Sequence, residues 1–104
     1  MNMRSSIQQL HNELSDDKAI ELCARQCGVI GDVTKLKICY LLRHHPELSV
    51  TAIAELVGAS VSNTSHSLSK LRAVNLVKTR KEARTVYYSL NDEGISPQLR
   101  GLLA

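Results

Sequence analysis

Two capped helical patterns sit three residues apart in "SVTAIAELVGASVSNTSHSLSKLRAVN", residues 49–75, and few folds accommodate that spacing. Ser49 can cap "VTAIAELV", with Leu48 just before it and Ile53 beyond it placed to close a hydrophobic staple. Gly58 ends that helix, and Ser60, two residues on, caps the next. Asn75 stands where the second helix must stop, and Asn tolerates the left-handed conformation better than most side chains. Two short helices joined by "GAS" predict a helix-turn-helix over residues 49–74.

The second of these helices begins with five serines between residues 60 and 69. At about 100° per residue, its Val61, Thr64, Leu68 and Leu71 gather on one side, which is expected to be buried. Ser62, His66, Ser69 and Ala73 gather on the opposite edge, with Asn63 toward the N-terminal end and Ser65 on the flank. A helix that only faced water would be better served by Glu and Lys. Short hydroxyl, amide and imidazole side chains instead let a helix enter a major groove and exchange hydrogen bonds with base edges.

The remaining sequence reads as scaffold for this unit. A chain of 104 residues, 43% hydrophobic with no Trp or Phe, is one domain with an aliphatic, mainly helical core. Ile7, Leu10 and Leu14 are spaced for a short amphipathic turn, and Ser15, Asp16 and Asp17 begin a helix on which Ile20, Cys23, Cys27 and Ile30 share a stripe. Asp32 caps "VTKLKICYLLRHH", apolar around most of its circumference and therefore expected at the centre, with His44 and His45 complementing the dipole at its end. "LVKTR" and "TVYYSL", separated by "KEA", predict a hairpin with a basic tip, a wing over residues 76–90. Ser96 and Pro97 open a short last helix. The expected fold is mainly α with a small β-hairpin, a winged helix-turn-helix occupying residues 1–104.

Charge is distributed unevenly along this frame. Lys70, Arg72, Lys78, Arg80, Lys81 and Arg84 stand against Glu82 alone, a local charge of +5 in a chain whose formal charge is +3. A basic block beside a short polar helix is the footprint of a surface that meets phosphate. No apolar run approaches a membrane span and the first residues lack a secretory pattern, so a soluble cytoplasmic protein that meets no membrane is expected. The sequence has no Gly-rich phosphate loop and no paired metal-binding histidines around a glutamate, and so gives no sign of an enzyme. A winged helix used only for protein association would place apolar residues on the outward edge of the serine-rich helix, where this chain has polar ones.

Across roughly residues 20–92 the order of elements resembles the ArsR/SmtB family of bacterial repressors. "GDVTKLKICYLL" is similar to the family's second helix, "ELSVTAIAELVGAS" to its third helix and turn, "SNTSHSLSKLRAVNLV" to its recognition helix and "TRKEARTVYYSL" to its wing. The resemblance implies a homodimer joined through the first and last helices, residues 15–31 and 96–104, on double-stranded operator DNA. It places Ser62, Asn63, Ser65, His66 and Ser69 toward bases or nearby phosphates, and Arg80, Lys81 and Arg84 toward the backbone or minor groove.

Members of that family release DNA on meeting a metal, a metalloid or a sulfur oxidant. The family's Glu-Leu-Cys-Val-Cys-Asp-Leu motif reads "ELSVTAI" here, with Ser49 and Thr51 where thiolates would stand, and neither replaces a soft ligand. The remaining thiols are Cys23, Cys27 and Cys39. Spacing of four on one helix brings two sulfurs together, and Cys39 on the next could complete a three-sulfur site for arsenite or a soft metal ion. Oxidation of the cysteines, by a redox or reactive-sulfur signal, is a second reading, and packing as small hydrophobes is a third. No cofactor is required by any of them.

Overall fold

A computed structural model of the chain describes Ile7 and residues 17–103. Helix α1 spans Asp17–Val29 and α2 Val33–His44; the short strand β1, Leu48–Ser49, leads into α3, Val50–Val57. Helix α4 spans Val61–Ala73, strands β2 and β3 span Val77–Glu82 and Thr85–Leu90, a 3-10 turn covers Asp92–Gly94, and α5 runs Pro97–Leu103. The architecture is the winged helix-turn-helix expected, mostly helical with a small antiparallel sheet. Leu10, Leu14, Ser15 and Asp16, read above as an amphipathic turn and a helix start, lie outside the described residues.

The helix boundaries follow from local chemistry. Asp32 accepts from Lys35 N at 2.8 Å, Ser49 from Ala52 N at 3.2 Å, Ser60 from Asn63 N at 3.0 Å and Ser96 from Leu99 N at 3.2 Å, each satisfying an amide that an α-helix leaves unpaired. Gly58, at φ 72°, closes α3, and Asn75, at φ 63°, turns the chain after α4. The joint between α3 and α4 is therefore two caps back to back.

Two expectations need correcting. The sheet has three strands, in the order β1-β3-β2, because Leu48 and Ser49 pair with Tyr88 and Tyr87. A two-residue strand has too little pattern to announce itself. The wing's strands also run further than "LVKTR" suggested: Lys81 pairs with Val86 and Glu82 with Thr85, leaving Ala83 and Arg84 as the turn. Ala83 sits at φ 55°, a left-handed conformation that costs a non-glycine residue about 1–2 kcal/mol.

Ile38, Cys39 and Leu42 of α2, Ile53 of α3, Leu68 and Leu71 of α4, Leu76, Val77 and Leu90 of the wing, and Ile95 and Leu99 form one buried aliphatic cluster. Helix α2 is central on one face only. Its Val33, Leu36 and Tyr40 are exposed and, with Leu56, edge an apolar surface groove. Among the described residues no helix is long and apolar enough to cross a membrane.

The core contains one polar knot. Gln26, fully buried on α1, donates through Nε2 to Val74 O at 2.8 Å and Gly94 O at 2.7 Å, and its Oε1 accepts from Ser96 N at 2.9 Å. Two carbonyls facing the amide nitrogen and one N–H facing the oxygen leave a single consistent orientation for the side chain. Asn91 Nδ2 donates to Asn75 O beside it at 3.1 Å. A Cβ on Gly94 would stand 2.3 Å from Asn75 O, so only glycine fits that approach.

Thr64 Oγ1 is the converse case, a buried hydroxyl with no hydrogen-bond partner among the described residues. Replacing Gln26 by Leu keeps apolar bulk but strands three backbone groups, and should lower the unfolding free energy by about 2–4 kcal/mol in urea titration. Thr64→Val removes only the unpartnered hydroxyl, and the same titration should show stability unchanged or raised by about 1 kcal/mol.

Candidate functional site

Thr64, Leu68 and Leu71 fix how α4 is turned about its axis, since all three are completely buried. The opposite edge then faces outward: Ser62, Asn63, His66 and Ser69 are exposed, and Ser65 is half-buried on the flank. Val61, expected on the buried side, is 47% exposed. It begins the helix, where the first turn projects past the core. The structure thus brings the polar residues singled out from the sequence onto one uncovered edge, bounded by the exposed Lys70 and Arg72 near the helix end.

The wing divides its cations into two kinds. Lys78, Lys81 and Arg84 are exposed, and among the described residues no ion pair engages them. Arg80 is held in place. Its Nε and Nη2 donate to Glu47 at 2.9 and 3.2 Å, Nη1 donates to Glu82 at 2.8 Å, and the guanidinium lies 5.0 Å from the centre of the Tyr87 ring. These carboxylates keep Arg80 charged, and the Arg80 hydrogen bond holds Glu47 below its ordinary range. Arg80 and Lys81 look equivalent in the sequence, but Arg80 fastens the wing to the segment before α3.

The cysteines separate as well. Cys23 and Cys27 are half-buried on α1 with their sulfurs 3.7 Å apart. The Cys27 thiol is raised above its ordinary value, first by burial, then by the hydrogen bond and charge of Cys23. Cys39 is 1% exposed in the aliphatic core, and that burial pushes its thiol up to about 11. Among the described residues no three His, Cys, Asp or Glu side chains are grouped to hold a metal ion. The three-sulfur arrangement expected of Cys23, Cys27 and Cys39 is therefore not assembled here: the helical spacing sets Cys23 beside Cys27, whereas Cys39 is absorbed by α2 packing.

Gln26 was not singled out in the sequence. The available signal was an amide at the helical position that continues the apolar stripe of Cys23, Cys27 and Ile30. Glu47 could not be found that way, because its partner Arg80 lies far along the chain.

Comparison with known proteins gives this geometry a setting. Residues 32–79, from the cap of α2 into β2, match the pattern described as "Bacterial regulatory protein, arsR family". The chain is 51% identical over 93 residues to the nodulation protein NolR of Rhizobium meliloti, covering 89% of this chain and 74% of that one. It is 39% identical over 72 residues to a cadmium resistance transcriptional regulatory protein, a CadC homolog of Staphylococcus aureus, covering 69% and 60% respectively. It spans between 54% and 60% of the length of the cadmium resistance regulators it matches. Among solved structures it is similar to the homodimeric winged helix-turn-helix DNA-binding domain of a possible ArsR-family regulator from Mycobacterium bovis. That similarity has a TM-score of 0.68 at 28% identity and covers 81% of this chain and 76% of that one.

The burial of Cys39 has a measurable consequence. The unfolded chain loses this proton near the ordinary 9.0, the folded chain only near 11. Stability present below pH 9 should therefore fall by about 2–3 kcal/mol as pH rises toward 11, and Cys39→Ala should abolish that fall in urea titrations across the window. With a thiol reagent at pH 8, Cys23 and Cys27 should be modified in the folded protein while Cys39 stays unmodified until denaturant is added, read by mass spectrometry of the peptides.

Proposed function

The chain belongs to the arsR family of bacterial regulatory proteins, and we propose that it is a DNA-binding transcriptional repressor working as a homodimer. The observation that carries this reading is the outward edge of α4, where Ser62, Asn63, His66 and Ser69 stand exposed while Thr64, Leu68 and Leu71 are sunk in the core. Short polar side chains on a projecting helix can reach base edges in a major groove without steric cost. Lys81 and Arg84 at the wing tip are exposed cations for flanking phosphate, and Lys78, exposed on β2 and within the electrostatic reach of Glu47, stands behind them. Arg80 acts indirectly, by setting the wing's angle through Glu47. Helices α1 and α5 pack together and would join the two protomers. The M. bovis neighbour described as homodimeric supports that arrangement.

Release is assigned to a thiol-reactive effector at Cys23 and Cys27. Two half-buried sulfurs 3.7 Å apart suit one soft ion or a trivalent arsenic centre, with any further ligand coming from a group other than Cys39. A relative named for cadmium resistance supports soft-ion chemistry. Oxidation through Cys39 is the weaker reading, because burial keeps that sulfur protonated and out of reach.

A fluorescent duplex from the protein's own promoter tests the DNA reading. Log affinity should fall linearly with log salt, and Lys81→Ala or Arg84→Ala should each flatten the slope by about one. Asn63→Ala and His66→Ala should instead narrow the preference for operator over scrambled duplex, by about 1–3 kcal/mol for each base that is no longer read. An affinity indifferent to salt and to both duplexes would leave a protein-association module in its place.

A further inference from the structure

Cys23 and Cys27 flank the residue that ties α1 to the recognition helix. Gln26 lies three residues after Cys23, so its side chain leaves the helix on the same face as Cys23, whose sulfur is 3.7 Å from that of Cys27. Among the described residues, this amide makes three hydrogen bonds from α1 to the rest of the fold. Its partners are the carbonyl of Val74 at the end of α4, the carbonyl of Gly94 in the 3-10 turn, and the amide of Ser96, which itself caps α5. One side chain thus joins the thiol-bearing helix, the end of the proposed DNA-reading helix and the start of the last helix.

We infer that Gln26 is the positioning residue through which occupancy of Cys23 and Cys27 reaches α4. This rests on the repressor reading above and gives it a route. Cys23 and Cys27 both pack against the aliphatic cluster. A centre bound to both sulfurs takes up space on that face, and α1 must shift or rotate to admit it. The amide of Gln26 moves with α1. It cannot follow while keeping three hydrogen bonds to three separate segments, because close-packed interiors switch between arrangements rather than stretch. The hydrogen bonds to Val74 O and from Ser96 N then break, and the end of α4 is free to take a different angle relative to α1 and α5. Charge plays no part in this step, since the tie is an uncharged amide between backbone groups.

Phenylarsonous acid is a suitable probe because it needs two thiols and no oxidant. Two As–S bonds form, two As–OH bonds break, and the two thiol protons leave with the hydroxides as two molecules of water. The full chain is titrated with operator duplex, with and without the probe, for the parent and for Gln26→Glu. That variant keeps the acceptor for Ser96 N but has no N–H for Val74 O or Gly94 O. Circular dichroism confirms its fold, and mass spectrometry confirms one arsenic per chain in both proteins.

Loading should weaken the parent's DNA affinity by about tenfold, within the usual range of coupling between sites. Gln26→Glu should start at the weakened affinity and change by less than about twofold on loading. A variant that responds by the same factor as the parent overturns the inference. So does a parent that binds duplex but ignores the probe, which leaves the DNA reading intact. Exchange of the Ser96 amide with deuterium supplies a readout without DNA: it should accelerate on loading the parent, and unchanged protection overturns the inference even if the duplex experiment has failed.

Discussion

The rotation of α4 about its own axis is the constraint on which the remaining features depend. Thr64, Leu68 and Leu71 have no exposed surface, and they recur at the spacing of one helical face. Turning the helix by one residue would expose two leucines, each worth about 1.5–3 kcal/mol of burial, and would drive His66 or Ser65 into an aliphatic core. The outward direction of Ser62, Asn63, His66 and Ser69 is thus a result of packing. The price shows in Thr64, whose hydroxyl is buried without a partner in the described residues.

The frame around α4 was largely legible in the sequence, because caps and helical periods are local. Ser49, Gly58, Ser60, Asn75 and Ser96 each act on their own few neighbours, and each stands where its chemistry implied. The unread features are contacts between distant segments. Strand β1 exists because Tyr87 and Tyr88 pair with it, Arg80 is occupied because Glu47 comes to meet it, and Gln26 is buried because Val74, Gly94 and Ser96 surround its amide. Periodicity reports which side of its own helix a residue occupies and cannot report what lies across from it. The same limit grouped Cys39 with Cys23 and Cys27, though among the described residues no three such side chains come together to hold a metal ion.

Electrostatics refines the proposed DNA face in the same way. The six cations between residues 70 and 84 suggest a uniform positive block. In the fold, Glu47 and Glu82 both engage Arg80, whereas Lys81 and Arg84 at the wing tip and Lys70 and Arg72 near the end of α4 stand exposed. A wing held by paired carboxylates and a tyrosine ring presents Lys81 and Arg84 from a fixed base. Such a fixed base reduces the ordering that docking on a flexible duplex would otherwise require. The thiol pair lies on α1, so a signal from it would reach α4 through packing and hydrogen bonds.

The orientation of α4 can be read directly by photo-crosslinking to a promoter duplex in which thymines across the major groove are replaced by 5-iodouracil. Crosslinks are expected within Ser62–Ser69, with backbone footprints flanking them from the wing tip at Lys81–Arg84. Crosslinks that fall instead on the apolar groove of Val33, Leu36 and Tyr40, or that are absent at low ionic strength, would contradict the assignment of the serine-rich edge to DNA.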